Sequence, residues 1–237
     1  MRNLIDFGDM SREEWEQLYA RASQIIDAPE KFIDVCRGKV SCNLFYEPST
    51  RTNFSFQTAM LGGSVFGFAD PNSSSVAKGE TLKDTIKMVS NYADVVVMRT
   101  PWEGSAKAAS LYSAVPVVNA GDGGHMHPTQ TMADLTTITR LRGKVDGLCI
   151  GLCGDLKNGR TVHSLIKAMA KFNDIKFFLI SPRELAVPEY MRVFMREHNM
   201  WYTEVTGLEP VIPQLDVLYM TRIQKERFVD PLEYERN

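Results

Sequence analysis

The stretch KVSCNLFYEPSTRTNFSF, residues 39–56, changes its pattern half-way along. Its first part is an apolar, β-rich run, and its last part carries apolar residues at helical spacing. Pro48 separates the two and is followed by small hydroxyl residues around Arg51. A strand that passes directly into a helix exposes backbone N–H groups and the positive end of the helix dipole, which suit an anion. The stretch therefore predicts a helix capped by Ser49 or Thr50 with an anion site, and an ordinary capped helix is the alternative.

The rest of the chain repeats this alternation of strand-like and helix-like segments. Apolar, β-rich runs occur at SVFGFA, ADVVVM, VPVVNA, GLCIGLC, IKFFLI and DVLYM. The amphipathic segments include ETLKDTIKMVSNYA, PTQTMADLTTITRLRG and RTVHSLIKAMAKF, and an N-terminal helix follows Ser11 as its cap. This order predicts an α/β fold in which parallel sheets are covered by helices. The helix at residues 128–142 is expected to join two domains, residues 1–134 and 135–237.

Composition narrows the classes of function. The 237 residues carry a net charge of −2 and no basic tail or stripe, which argues against nucleic acid as the main partner. No segment is long and apolar enough to span a membrane, and the first residues lack the apolar core of a signal peptide. Without a Cys-x-x-Cys pair, buried thiols are expected rather than a metal site or a disulfide at Cys36, Cys42, Cys149 and Cys153. We expect a reduced, cytoplasmic protein.

Polar clusters follow directly on five of the strand-like runs. PSTRT follows NLFYE, Arg99 follows VVVM, HMHPTQ follows VVNAGDGG, GDLKNGR follows LCIGLC, and TRIQ follows VLYM. Open parallel sheets bind their ligands beyond the carboxyl ends of the strands. Because these clusters carry several arginines and a histidine, the pattern predicts a shared cleft for a strongly anionic ligand.

Six ordered motifs resemble those of aspartate carbamoyltransferase catalytic chains, namely FYEPSTRT, VAKGETLKDTI, VMRTPWEG, NAGDGGHMHPTQT, GDLKNGRTVHSL and DVLYMTRIQKERF. The resemblance implies transfer of the carbamoyl group of carbamoyl phosphate to the amino group of L-aspartate, in pyrimidine synthesis. It implies a carbamoyl-phosphate domain at residues 1–134, an aspartate domain at residues 135–237, and a homotrimer with shared active sites. A regulatory chain or a dihydroorotase is a possible further partner. No cofactor or metal is implied.

The resemblance assigns the carbamoyl-phosphate site to residues of the first domain. The phosphate is expected on the backbone N–H groups of residues 49–52 and on the guanidinium groups of two arginines. A carbonyl oxygen that gains negative charge during attack needs hydrogen-bond donors, and Arg51, Thr52 and His127 are the expected ones. Gln130 is expected to contact the carbamoyl amide. The full predicted set is Ser49, Thr50, Arg51, Thr52, Arg99, His127 and Gln130.

The aspartate site is assigned to the second domain and to a neighbouring subunit. Arg160, Arg222 and Gln224 suit recognition of two carboxylates. Lys78, in the Ser-rich loop at residues 70–80, is expected to reach the site of the next subunit as a further catalytic residue. Glu47 and Arg227 are expected to help close the domains on each other. For each of these residues the alternative is an ordinary surface or structural role.

Two other functions remain open alternatives. Ornithine carbamoyltransferases share Ser-Thr-Arg-Thr, but they carry His-Pro-Cys-Gln where this chain has Thr129 in the third place, and no Ser-Met-Gly motif is found. Arg222 also favours an acidic second substrate over a basic one. The other alternative is a catalytically weak homologue that binds ligands or partners.

Three features depart from the family pattern. Asn53 and Gln57 stand where the family usually has Arg and Glu, so charge is lost near the phosphate site. Two residues that relatives commonly have between Met60 and Leu61 are absent, which predicts that this helix ends differently. The family also continues past DPLEYERN into a His-Pro-Leu-Pro loop and a C-terminal helix, so we expect an incomplete second domain with exposed apolar surface.

Overall fold

The computed structural model describes residues 2–222, which divide between Met132 and Ala133 into two compact units, unit 1 and unit 2. Unit 1 contains α1 (Arg12–Asp27), β1 (Val40–Phe45), α2 (Thr50–Ala59), β2 (Ser64–Phe68), α3 (Leu82–Val89), β3 (Val95–Thr100), α4 (Ser105–Tyr112) and β4 (Val117–Asp122). Helix α5 (Pro128–Arg142) runs across the boundary between the units. Unit 2 contains β5 (Cys149–Cys153), α6 (Arg160–Met169), β6 (Lys176–Ile180), α7 (Glu189–Glu197), β7 (Trp201–Val205) and β8 (Val217–Met220).

Each unit is built on a parallel sheet of four strands. The strand order is β2-β1-β3-β4 in unit 1 and β7-β6-β5-β8 in unit 2. Strand β1 lies inside its sheet, with Leu44 opposite Phe68 of β2 and Met98 of β3. Strand β5 has the same place in the second sheet, with Leu152 opposite Leu179 of β6. The predicted α/β fold with parallel sheets is therefore confirmed.

Burial explains why the inner strands read as continuous apolar runs. Residues 41–45 of β1 are all buried, since helices cover an inner strand of a parallel sheet on both faces. In unit 1 the core gathers around Leu44, Ile86 and Met98. In unit 2 the largest fully buried side chains include Ile150, Leu152, Leu165, Ile166 and Phe177.

Two helices of unit 1 begin with a side-chain cap. The Ser11 hydroxyl accepts from the backbone N–H of Glu14 at 3.2 Å, and the Glu14 carboxylate accepts from the N–H of Ser11 at 2.7 Å. This capping box satisfies two N–H groups of α1, and the predicted cap at Ser11 is confirmed. Thr81 caps α3 in a similar way by accepting from the N–H of Asp84. Both capping residues have ψ near the extended value, 166° for Ser11 and 155° for Thr81.

Several details differ from the sequence-based expectations. Strand β7 begins at Trp201 and was not among the predicted runs. Only Cys42 of the four cysteines is buried; Cys149 and Cys153 are half-buried because they lie at the two ends of β5. Within residues 70–80 the chain forms two short 3-10 turns, Pro71–Ser73 and Ser75–Lys78, capped by the side chains of the residues before them. Over the described range 2–222, no helix combines the length and the apolar character that crossing a membrane requires.

Candidate active site

The N-terminus of α2 is the predicted anion site, and it begins without a side-chain cap. Ser49 occupies the capping position but makes no capping hydrogen bond, so the predicted cap is wrong. Its φ of −158° and ψ of 83° differ from the extended geometry that places the Ser11 hydroxyl over its helix. The first bond of the helix runs from the Asn53 N–H to the Ser49 carbonyl at 3.0 Å. The N–H groups of residues 50–52 precede that bond and lie at the positive end of the helix dipole.

Arg99 lies at the carboxyl end of β3, next to the strand that leads into α2. It is paired in register with Phe45, and its Nη2 donates to Glu47 Oε1 at 2.8 Å. A second, longer bond runs from Nη1 to the Ala120 carbonyl at 3.4 Å. The Nε atom is buried, and the part of the chain that the structure describes offers it no hydrogen-bond partner. Arg99 is thus held at the carboxyl edge of the first sheet by Glu47 and the Ala120 carbonyl.

His127 and Gln130 stand at the start of α5. Pro128 is the first residue of this helix, which spans the predicted residues 128–142. The His127 carbonyl accepts from the N–H groups of Gln130 and Thr131, both at 3.1 Å. His127 is buried, and its Nδ1 lies 3.4 Å from the Thr129 hydroxyl. The histidine is thus held at the carboxyl end of β4, in the same sheet as Arg99.

Asp122 holds the turn that precedes His127, and sequence reasoning did not single it out. Its buried carboxylate accepts from the N–H of Met126 at 3.0 Å, from the N–H of Gly104 at 2.9 Å and from Asn119 Nδ2 at 3.2 Å. These bonds tie the end of β4 to the start of α4. The acidic residue inside the GDGG turn is the only signal in the sequence that could have indicated it.

Lys78 is exposed at the end of the 3-10 turn Ser75–Lys78. Gly79 follows it with φ of 89°, a left-handed conformation that a residue with a Cβ rarely adopts. The lysine follows β2, which runs parallel to β1. Residues 49–52, Arg99 and His127 lie at or after the carboxyl ends of β1, β3 and β4, and Lys78 lies on an exposed surface turn.

In unit 2, Arg160 is the first residue of α6, another helix without a side-chain cap. The buried Asp155 accepts from the N–H of Asn158 at 2.9 Å, which shapes the turn before Arg160. One turn into the helix, the His163 Nε2 lies 2.7 Å from the Leu156 carbonyl, and its Nδ1 lies 2.9 Å from the Tyr190 hydroxyl. Burial is the main cause that lowers the pKa of His163, although the bond to Leu156 opposes it. A neutral imidazole that donates through Nε2 and accepts through Nδ1 fits these contacts.

Arg222 lies just beyond β8, next to the strand that leads to Arg160. Thr221 donates its N–H to the Cys153 carbonyl at 2.8 Å, and Gly154 allows this approach because an added Cβ would meet the Thr221 carbonyl oxygen at 2.4 Å.

Tyr219 donates its hydroxyl to Asp134 Oδ2 at 3.0 Å. Burial, helped by the Asp134 charge, raises the pKa of Tyr219 to about 12.

Arg160 and Arg222 therefore follow the carboxyl ends of two neighbouring strands of the second sheet, β5 and β8. The other predicted residues of this group, Gln224 and Arg227, lie outside the described residues. Among residues 2–222, no group of histidine, cysteine and acidic side chains is arranged to hold a metal ion.

Known proteins resemble this chain in sequence and in fold. Residues 2–140 match the family model of the aspartate/ornithine carbamoyltransferase carbamoyl-P binding domain. The aspartate carbamoyltransferase catalytic subunit of Clostridium novyi (strain NT) is 57% identical over 237 residues, which are 99% of this chain and 78% of the relative. The chain belongs to the aspartate carbamoyltransferase family. The catalytic subunit of Clostridium botulinum (strain Eklund 17B / Type B) is 58% identical with the same coverage.

Solved structures of aspartate transcarbamoylases have the same fold. The catalytic subunit of the M. jannaschii enzyme superposes with a TM-score of 0.93 at 46% identity, covering 100% of this chain and 78% of that one. The enzyme from Trypanosoma cruzi, in complex with carbamoyl phosphate and aspartate, gives a TM-score of 0.87 at 37% identity, covering 96% and 74%. This aspartate carbamoyltransferase chain therefore spans about three quarters of the length of the solved relatives.

Proposed function

We propose that this chain is an aspartate carbamoyltransferase, which transfers the carbamoyl group of carbamoyl phosphate to L-aspartate. The products are N-carbamoyl-L-aspartate and phosphate, as in de novo pyrimidine synthesis. The observation that carries the proposal is the uncapped N-terminus of α2 with Arg99 beside it. Arg99 lies there because it is paired with Glu47, which is in the segment that leads into the helix. The family relationship specifies the reaction, and these two features supply a place for the phosphate.

The first substrate is assigned to unit 1. Phosphate oxygens would accept from the N–H groups of residues 50–52, with Ser49 at the entry to the helix and Arg51 and Arg99 supplying charge. Thr52 and His127 would join Arg51 in donating to the carbonyl oxygen, which gains negative charge when the amine attacks. The carbamoyl amide would contact Gln130. The domain assigned to this substrate is residues 1–134.

The second substrate is assigned to residues 135–237. Arg160 and Arg222, with Gln224, would hold the two carboxylates of aspartate, and this leaves its amino group as the nucleophile. The nitrogen forms a bond to the carbonyl carbon, the bond from that carbon to the phosphate oxygen breaks, and the nitrogen loses a proton. Holding the two reactants in line removes most of the entropic cost of their meeting.

The assembly proposed here is a cytoplasmic homotrimer whose sites are completed across subunits. Lys78 would reach the site of a neighbour, since it is an exposed cation on a surface turn. Glu47 and Arg227 would stabilise the closed form of the site. A regulatory chain or a dihydroorotase is the class of further partner that fits such an enzyme.

The test is a product assay with both candidate amino acids. Carbamoyl phosphate is supplied with L-aspartate or with L-ornithine, the carbamoylated product is measured, and the intact mass of the same sample is recorded. We expect carbamoyl-aspartate from the unmodified protein and a large loss of it in Arg51→Ala. The variant Thr58→Ala, which changes an exposed residue of the same helix, is the matched control and should retain full activity.

Three results would contradict the proposal in different ways. Carbamoylation of ornithine in preference to aspartate would indicate the related ornithine enzyme. Phosphate binding without product from either amino acid would indicate a ligand-binding homologue. If the protein neither binds phosphate nor forms a product, the assignment of residues 49–52 to the phosphate is wrong.

A further inference from the structure

Buried amide side chains tie α2 to the centre of the first sheet. Asn43 of β1 donates from Nδ2 to Asn53 Oδ1 at 3.1 Å, and Gln57 donates from Nε2 to the same oxygen at 3.1 Å. Ser41 extends this amide network by donating its hydroxyl to Asn43 Oδ1 at 3.0 Å. Asn43 is 3% exposed and Asn53 is 8% exposed, so the bond between them forms in an environment of low dielectric, whereas Gln57 is exposed.

Asn53 is the one residue of α2 that is buried, although it is polar. Phe54 of the same helix is exposed, and Phe56 is only partly buried against Phe45, Val97 and Ala120. A pocket of about 290 Å³ lies beside the network and is lined by its three amide side chains and by β2. On this side the hydrogen bonds to Asn53 therefore supplement the packing of Phe56 in holding the helix to the sheet.

The network also connects to the predicted phosphate-binding turn, residues 49–52. The backbone N–H of Asn53 makes the first hydrogen bond of the helix, to the Ser49 carbonyl. At the other end, the backbone of Asn43 is paired with β2 and β3, at Gly67 and Val97. Gly67 has φ of 135°, and an added Cβ would lie 2.0 Å from the Asn43 carbonyl oxygen, so β2 approaches Asn43 closely. Asn53 thus links the turn to β1, an inner strand of the sheet.

We propose that Asn53 is a positioning residue for carbamoyl phosphate: through its bond to Asn43 it holds the first turn of α2 in the orientation that binds phosphate, and Gln57, on the same helix, orients the Asn53 amide. The inference rests on the proposed function, since it takes residues 49–52 as the phosphate site. Asn53 acts without touching the ligand. A rotation of the first turn moves the three N–H groups together, so a small misalignment weakens all of their bonds to phosphate at once.

The test measures binding of inorganic phosphate by calorimetry and the KM of each substrate in the carbamoyl-transfer assay. We expect Asn53→Ala to weaken phosphate binding and raise the KM for carbamoyl phosphate about tenfold, while the KM for aspartate stays within about twofold. Because Asn53 acts through Asn43, the double variant Asn43→Ala with Asn53→Ala should bind phosphate no more weakly than Asn53→Ala alone. The control Thr58→Ala, on the exposed face of α2, should bind as the unmodified protein does. If Asn53→Ala does not fold, Gln57→Ala removes one donor of the network and should weaken phosphate binding in the same direction.

The outcomes separate this inference from the proposed function. If Arg51→Ala loses phosphate binding while Asn53→Ala and Gln57→Ala retain it, the positioning role is wrong and the proposed function stands. If the effects of Asn43→Ala and Asn53→Ala add in full, Asn53 does not act through Asn43. If both KM values rise equally, Asn53 has only a general structural role. If the unmodified protein binds neither inorganic phosphate nor carbamoyl phosphate, the proposed function and the inference fail together.

Discussion

Arg99 and Glu47 form an ion pair between the carboxyl ends of β3 and β1, with 2.8 Å between Nη2 and Oε1. The arginine side chain is 12% exposed and the glutamate side chain 25% exposed, so solvent screens this pair only in part. The same guanidinium is the one proposed to hold phosphate. The Glu47 carboxylate fixes the position of the Arg99 side chain, and it also places a negative charge beside the proposed site for the phosphate dianion.

Neutralising that carboxylate separates the two effects. We expect Glu47→Gln to lower the free energy of unfolding by about 1–2 kcal/mol, because a charge-assisted hydrogen bond is replaced by a neutral one. Inorganic phosphate should bind more tightly to the variant, since a negative charge beside the site has gone. Urea unfolding and calorimetry measure the two quantities, with the surface change Glu30→Gln as control. Weaker phosphate binding in Glu47→Gln would show that the pair positions Arg99 more than it competes.

Arg51 offers a test of geometry against charge. Arg51→Lys keeps the positive charge but loses the planar fork that makes two parallel bonds to phosphate. We expect Arg51→Ala to lower kcat about 100-fold to 1,000-fold, as is usual for a lost transition-state donor, and Arg51→Lys to fall in between. The carbamoyl-transfer assay measures both. A lysine variant with unchanged kcat would mean that charge alone is sufficient at this position.

Arg222 should determine the choice of the second substrate. Arg222→Ala is expected to raise the KM for aspartate far more than the KM for carbamoyl phosphate, because a carboxylate left without its partner costs on the order of 2–5 kcal/mol. Arg183→Ala changes another exposed arginine of unit 2 and is the matched control. Equal effects of Arg222→Ala on the two KM values would argue against its assignment to aspartate.

Lys78 should act in the site of a neighbouring subunit. If each site needs Arg51 from one chain and Lys78 from the next, inactive Arg51→Ala and Lys78→Ala proteins should regain some activity when their subunits are exchanged. In a mixed trimer an Arg51→Ala chain lends its Lys78 to a chain that retains Arg51. The unmodified protein is first shown to turn over, and mixed trimers are then verified by mass. Verified mixed trimers as inactive as their parents would contradict a shared site.

His163 predicts how stability depends on pH. Its pKa is lowered in the folded chain, mainly by burial, whereas the unfolded chain titrates near the ordinary value of 6.5. Between the two values the unfolded state binds more protons, so the free energy of unfolding should fall as the pH drops below about 6.5. In His163→Gln the part of this decrease in the free energy of unfolding that comes from His163 should be absent. The control His198→Gln, which changes an exposed histidine, should show the same decrease as the unmodified protein. Urea unfolding at a series of pH values decides the matter, and identical curves for the unmodified protein and His163→Gln would contradict the assignment.

Most of the fold could be predicted from the sequence because buried strands and buried helix faces give recognisable apolar patterns. The inner strands are mostly apolar, and the helix at residues 128–142 begins at Pro128 as predicted. Strand β7 was missed because it is half exposed, and its residues 201–205 mix polar and aromatic side chains. The places of Arg99, Arg160 and Arg222 followed from the rule that ligands meet the carboxyl ends of parallel strands.

The contacts inside the site could not be read from the sequence. The bond from the Gly104 N–H to Asp122 joins residues that are not neighbours in the chain, so no local sequence pattern predicts it. The pairing of Glu47 with Arg99 likewise depends on which strands are neighbours. Ser49 has the residue type of a good cap, and only its backbone angles show that its side chain does not serve as one.

At the uncapped start of α2, the stability of the fold and the proposed binding of phosphate make opposite demands. An oxygen supplied by the protein itself, as in Ser49→Asp, would satisfy the N–H groups of α2 and make the fold more robust. The same oxygen would act as a permanently attached competitive inhibitor, because it would occupy the donors proposed for phosphate. Selection for heat resistance and selection for catalysis therefore pull residue 49 in opposite directions. If phosphate binds there as proposed, the substrate completes the start of the helix, and the folded protein should be more stable with carbamoyl phosphate bound than without it.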